Sequence, residues 1–324
     1  MHEVSLDLEL DGARIPGRLA APAAPWAALL LIPGSLWSDV DGNYPAMGAA
    51  PGLYKQLAEQ LAASGVAVLR FAKTGPGTGT QVLDEERFRS AYFNFPQRRR
   101  VAAAWLDELA RRAPGVPLFV AGHSEGAVVA TQVARARRDV RGLVLLSGPA
   151  LPLLRLMIWQ QHEERRRSGE MTAEAEIQYA RALRWLADFV AAEPLPPEAE
   201  QNPYARALLF AARPDAAPYL RSLEQVDPAA ELAAVAQPVL IVQGDRDPSV
   251  HEANAALLQA AQPRAETARF PGLQHFYKQA PEGLGAQELF AREGPIDPAV
   301  SAALTSWLRR QAQNLAAGQG LEPR

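Results

Sequence analysis

The 324-residue chain contains no cysteine. It therefore has no disulfide framework, no thiolate nucleophile and no cysteine-based metal site. Basic charge is not in excess. The formal net charge is -3, which excludes the strong positive field that nucleic-acid binding needs. No apolar run approaches the roughly 20 residues of a membrane-spanning helix. The opening residues, Met1-His2-Glu3-Val4-Ser5-Leu6-Asp7, offer neither a basic n-region nor an apolar h-region, so a cytoplasmic location is expected. There are no internal repeats, and hence no solenoid or propeller. Histidine is scarce, with five in all, which keeps any search for a general base short.

What is present agrees with a single large globular protein. Hydrophobic residues make up 48% of the chain, ordinary for a soluble protein. A chain of this length can bury on the order of three quarters of its unfolded surface. Glu3 to Leu10, the Asp11-Gly12 turn and Arg14 to Ala20 predict an antiparallel hairpin. Buried strands are predicted at Ala27 to Ile32, Val66 to Phe71, Pro117 to Ala121 and Leu143 to Leu146. Helices are predicted at Leu53 to Ala63, Arg98 to Arg112, from Glu125 to about Arg137, and at Ala299 to Gln313. Strands alternating with helices imply a mostly parallel sheet covered on both faces.

The most informative segment is Gly122-His123-Ser124-Glu125-Gly126. It lies between an apolar strand and a small-residue helix, which places the serine on a sharp strand-to-helix turn. Such a turn lifts a hydroxyl above the sheet, and its flanking glycines avoid collisions with the strand and helix. The helix N-terminus favours the negative charge that develops when a carbonyl is attacked.

A serine needs a base and an acid, which in this arrangement follow it along the chain. Gln237 to Gln243 is a buried strand ending in Gly244-Asp245-Arg246-Asp247-Pro248. Phe270-Pro271-Gly272-Leu273-Gln274-His275 is a short strand, a turn and then a histidine. Both lie just past strand C-termini, the edge where parallel sheets bind ligands. His2 is terminal, His123 lies inside the elbow where packing is expected, His162 sits in a charge run and His251 opens a helix. His275 is left as the base. Of the two aspartates, Asp245 begins the turn and is expected to cap its own backbone. Asp247 precedes Pro248, which favours a fixed extended backbone, and it is taken as the acid.

Residues 151–223 break the alternation. They carry helical patterning, and prolines at 194, 196, 197, 203, 214 and 218 cut them into several helices. The chain thus divides into a catalytic domain (1–150 and 224–324) and a helical lid (151–223). Aromatic residues of this insertion, Trp159 and Trp185 first, are expected to line the pocket together with Leu36 and Trp37.

On these motifs the chain resembles an α/β-hydrolase along nearly its whole length. Within that superfamily it is similar to bacterial serine esterases whose oxyanion loop reads G-S-G-P-x-D-R-D-G-N. Here the stretch is Gly34-Ser35-Leu36-Trp37-Ser38-Asp39-Val40-Asp41-Gly42-Asn43. Leu36-Trp37 replace Gly-Pro and Val40 replaces the arginine. The Gly-Asp-Arg-Asp turn, Gly-Leu-Gln-His-Phe and Pro295-Ile296-Asp297-Pro298 also match. Ala72-Lys73-Thr74-Gly75-Pro76-Gly77 departs from the usual D-x-R-G-x-G.

The resemblance implies an eight-stranded α/β-hydrolase sheet with a helical lid, and two-step acyl transfer on a small-molecule ester. Ser124 would attack, His275 would take its proton and Asp247 would orient the imidazole. The oxyanion would rest on the backbone N–H groups of Ser35 and Glu125, and the Glu125 side chain would act as a helix-dipole partner. No metal, no other cofactor, no membrane and no nucleic acid is expected to take part. A serine peptidase or amidase on the same three residues is the alternative. A non-catalytic binding protein on a hydrolase scaffold comes third.

Overall fold

The computed structural model describes residues 2–319. The chain opens with β1 (His2–Leu10) and β2 (Ala13–Ala21), an antiparallel hairpin. Its turn residues Asp11 and Gly12 both have positive φ, 49° and 78°, the two-residue geometry that suits the right-handed twist of the strands. There follow β3 (Ala27–Ile32), α1 (Leu53–Ala63), β4 (Val66–Phe71), β5 (Gln81–Val82), α2 (Glu85–Tyr92) and α3 (Pro96–Arg112). Next come β6 (Leu118–His123), α4 (Glu125–Ala136) and β7 (Val140–Leu146). Four helices intervene, α5 (Leu153–Ser168), α6 (Ala173–Val190), α7 (Arg206–Ala211) and α8 (Ala217–Glu224). The chain returns with α9 (Pro228–Ala233), β8 (Val239–Gly244), α10 (Ala253–Ala261), β9 (Glu266–Phe270), α11 (Ala286–Ala291) and α12 (Pro298–Gln319).

The strands form one sheet in the order β1-β2-β4-β3-β6-β7-β8-β9, parallel from β4 onward, with β5 paired to β2 as a ninth strand. Eight strands were legible in the pattern. The two exposed residues of β5 carry no periodicity that could announce it. Short α2 was also missed. It rests on Asp84, whose carboxylate accepts the Arg87 N–H at its N-terminus.

Alternate residues of each central strand feed two cores. In β3, Ala28, Leu30 and Ile32 face Trp105, Leu106, Val129 and Val133 of α3 and α4. Ala27, Leu29 and Leu31 face Leu57, Leu61, Leu304 and Trp307 of α1 and α12. A strand buried on both faces reads as an unbroken apolar run, which is why these strands were visible in the sequence. The insertion between β7 and β8 has an apolar cluster of its own around Leu154, Ile158, Leu186, Phe189, Tyr204 and Leu208. Its two ends are clipped together: the buried Glu224 carboxylate at the end of α8 accepts the Leu154 and Arg155 N–H groups at the start of α5 (2.9 and 3.0 Å).

Strand order also places the site. From β3 the chain moves to β4 on one side, and β6 later joins the other side. The loops leaving β3 and β6 therefore diverge from neighbouring strand ends, with Ile32 paired to Gly122. Such a switch point opens a crevice at the C-terminal edge of the sheet.

Candidate active site

Ser124 occupies the turn from β6 to α4 with φ 55° and ψ −127°, a backbone region that a residue with a side chain enters only under constraint. The constraint is steric. A side chain on Gly122 would run into the Gly126 carbonyl, and one on Gly126 would come within 2.5 Å of the Ile32 and Pro33 carbonyl oxygens. Both glycines are thus required where the sequence placed them.

His275 and Asp247 meet 28 residues apart, with His275 Nδ1 2.7 Å from Asp247 Oδ2. The other carboxylate oxygen, Oδ1, accepts the Ser249 and Val250 N–H groups at 2.8 and 2.9 Å. The carboxylate is thereby fixed in direction, and Nδ1 of the imidazole is committed, which leaves Nε2 to exchange a proton. Asp245 takes no part in this pair. Its exposed Oδ1 accepts the Gly272 N–H at 2.7 Å and ties the two loops together.

Ser124, Asp247, His275, Ser35 and Glu125 all line one cleft of about 660 Å³. Leu36 lines it too, with positive φ of 63°. Trp37, Trp159 and Trp185 do not. Trp37 lies over Gly75, where a Cβ would collide with the indole, so two departures from the resembling pattern, Leu36-Trp37 and the Ala72-to-Gly77 loop, pack on one another. Trp185 is half-buried against the insertion's own core. The insertion instead presents Leu153, Leu156, Met157, Gln160, Gln161 and Glu164 to the cleft, the i, i+3, i+4, i+7 face of α5.

The loop that follows β3 is pinned along its length. Asp39 Oδ1 accepts the Asp41 and Asn43 N–H groups at 2.9 and 2.8 Å. Asp41 in turn pairs with the buried Arg70 at 2.9 Å. These contacts give the Asp39, Asp41 and Asn43 positions of the motif a physical purpose, since they fold the loop back on itself.

The largest surprise is a buried ionic cluster beside Ser124. Glu125 carries far more than a helix-dipole role. Its Oε1 accepts from Lys73 Nζ (3.1 Å), Tyr219 Oη (2.7 Å) and Arg98 Nη1. Burial disfavours its charge, yet Lys73 and Arg98 outweigh this and hold the carboxyl below its ordinary range. Burial brings the Lys73 ammonium down to about 8. Tyr219 belongs to the insertion, so this cluster bolts the insertion to the elbow. Nothing in the sequence singled out Arg98, which sits in an Arg98-Arg99-Arg100 run whose other members are exposed.

His123 is likewise more than packing. Its Nε2 lies 3.0 Å from the His275 carbonyl, which can only accept, so Nε2 carries the proton. Nδ1 then accepts from the Tyr54 hydroxyl at 3.2 Å, and that hydroxyl accepts the Gly34 N–H at 2.9 Å. The ring spans the gap between the loop that follows β3 and the loop that carries His275. Burial and the neighbouring His275 keep its pKa well below the usual histidine range.

Among the described residues there is no cluster of metal-ligating side chains, and no helix is long and apolar enough to cross a membrane.

Solved structures share this architecture. The esterase domain of a Rhodothermus marinus protein is 17% identical, with 96% of this chain and 99% of that one covered and a TM-score of 0.55. Est1E from Butyrivibrio proteoclasticus, solved with ferulic acid bound, is 19% identical over 94% and 98% of the two chains, with a TM-score of 0.58. An esterase from Pyrococcus furiosus is 13% identical over 96% and 91%, with a TM-score of 0.56. At such identities the likeness is one of fold. No curated protein matches in sequence. A family model does match, that of Hydrolase_4, described as serine aminopeptidase, S33, across residues 46–277. With that match over most of its length, the chain belongs to the Hydrolase_4 family of α/β-hydrolases.

Proposed function

We propose that this protein hydrolyses carboxylic esters through an acyl-enzyme on Ser124. The observation that carries the reading is the convergence of the constrained Ser124 and the His275–Asp247 pair on one cleft. His275 takes the hydroxyl proton as Ser124 attacks the acyl carbon, and Asp247 stabilises the imidazolium. The tetrahedral oxyanion is held by the Ser35 and Glu125 N–H groups. Collapse returns the proton to the leaving alcohol. Water then attacks the acyl-enzyme by the same route.

The cleft wall from Leu36, Leu153, Leu156, Met157 and Phe290 suits an apolar acyl group. The ferulic acid bound to Est1E adds hydroxycinnamoyl esters to the substrates worth testing. In this reading the insertion acts as a lid through the cleft-facing side of α5.

Peptide or amide hydrolysis is the second reading, and the family's description as serine aminopeptidase supports it. The deciding experiment sets aryl esters of graded chain length beside aminoacyl anilides, with fluorophosphonate labelling of wild type and Ser124→Ala. Ester turnover and labelling that both vanish in Ser124→Ala are expected. Turnover confined to the anilides selects the peptidase, and labelling that survives in Ser124→Ala sinks the nucleophile.

A further inference from the structure

The Gly34–Ser35 peptide is gripped at one end only. Arg98 is buried, and its Nη1 donates to the Gly34 carbonyl at 3.1 Å while its Nη2 donates to the Pro33 carbonyl at 2.5 Å. Gly34 N–H is taken by the Tyr54 hydroxyl. The Pro33–Gly34 peptide is therefore held by both its polar groups. In the next peptide the carbonyl of Gly34 is held by Arg98, and Ser35 N–H has no acceptor among the described residues. A trans peptide is planar with C=O and N–H on opposite edges. Drawing the Gly34 carbonyl onto Arg98 thus turns Ser35 N–H the opposite way.

That direction matters because of what lies next to it. A Cβ on Gly34 would sit 3.1 Å from Ser124 Cβ, and Ser35 and Ser124 line the same cleft. Arg98 also reaches the residue that carries the second donor, because Nη1 is shared with the carboxylate of Glu125, the first residue of α4. The first N–H groups of a helix have no partner within it. One guanidinium therefore spans both sides of the oxyanion site.

We propose that Arg98 is the positioning residue of the oxyanion hole, orienting Ser35 N–H through the Gly34 carbonyl and locking it to α4 through Glu125. The proposal rests on the reading of this site as an acyl-transfer centre. Arg98 does not line the cleft. A lysine cannot replace it, because an ammonium is a point donor and cannot span two carbonyls and a carboxylate in the fixed fork of a guanidinium.

The test compares Arg98→Lys and Arg98→Ala with wild type, each checked for native melting and circular dichroism. For folded variants, kcat on the best aryl ester should fall about 100-fold while KM stays within about threefold, because the missing interaction forms only in the transition state. Phosphonylation of Ser124 by a fluorophosphonate should slow in parallel, since the phosphonyl oxygen occupies the same hole. Guanidinium at low millimolar concentration should recover part of the Arg98→Ala loss, and sodium at equal ionic strength should not. Arg98→Lys with kcat near wild type, a loss confined to KM, or no response of folded Arg98→Ala to guanidinium each overturns the proposal. Should Arg98→Ala not fold, the kcat and labelling rate of Arg98→Lys decide alone. A wild type that labels at Ser124 but turns over no ester refutes the ester reading, and the labelling rates still decide the role of Arg98. A wild type that neither labels nor turns over substrate sinks both.

Discussion

Asp247 faces His275 across 2.7 Å, while Asp245, two residues earlier on the same turn, bonds the Gly272 backbone instead. The two carboxylates are close in sequence and separate in work. Asp247→Asn places an amide beside Nδ1 that can neither select the right tautomer nor stabilise the imidazolium. Turnover is expected to fall by up to about 10⁴ with KM little changed. Asp245→Asn keeps an oxygen acceptor for Gly272, so turnover should hold and stability should move by no more than about 1 kcal/mol. Steady-state kinetics and thermal melts of both variants check this. Reversed phenotypes would move the acid to Asp245.

His123 predicts acid lability of the fold. Its pKa lies well below the usual histidine range, with burial as the main cause. Below about pH 6.5 the unfolded chain binds a proton that the folded chain refuses, so stability falls as pH drops from there. His123→Gln keeps an amide donor and an acceptor but loses the rigid ring that reaches both the His275 carbonyl and the Tyr54 hydroxyl. The variant should be less stable than wild type at pH 7 and closer to it at pH 5, because wild type alone suffers this protonation. Denaturant midpoints across that range measure the gap. A gap that stays constant would mean that His123 is not the group that titrates.

What was legible in the sequence follows burial of a simple kind. Strands apolar on both faces and glycines at Gly122 and Gly126 leave marks that composition and spacing can carry. The Asp247 and His275 positions were legible because both follow strand ends. The ionic cluster was not. Lys73, Arg98, Glu125 and Tyr219 come from four separate segments, and each alone reads as a surface residue or an ordinary aromatic. Only folding makes them neighbours. The expectation for Trp159 and Trp185 failed for a related reason: a large aromatic in an insertion marks a core as readily as a pocket, and Trp185 serves the insertion's own core.

Lys73 makes a pH prediction of the same sign as His123, in a more alkaline window. Burial holds its ammonium at about 8, against an unperturbed 10.5. Between those values the unfolded chain binds more protons than the folded one, so this group adds stability as pH rises through that window. Lys73→Met removes the buried cation and leaves Glu125 paired with Arg98 and Tyr219. Wild type should gain on the variant between pH 7 and pH 10 in chemical denaturation. Tyrosines with raised pKa values are common to both proteins and cancel in the comparison. Parallel pH dependence in the two proteins would show that Lys73 does not titrate in this window.

The wall of the cleft yields the last prediction. Leu153, Leu156, Met157 and Gln160 lie on one face of α5 and line the space above Ser124. Met157 is also 44% exposed, so a larger side chain there meets the cleft before it meets the core. Met157→Trp should therefore shorten the preferred acyl chain, lowering kcat/KM for long aryl esters more than for acetate, with melting temperature nearly unchanged. Trp185→Ala acts elsewhere. It removes a half-buried indole from the insertion's core and should cost about 2 kcal/mol or more of stability. The order of preference among ester chain lengths should stay as in wild type. Profiles of kcat/KM against chain length, measured beside thermal melts, separate the two effects. If Trp185→Ala reorders the substrates and Met157→Trp does not, the acyl group lies along a different wall from the one α5 presents.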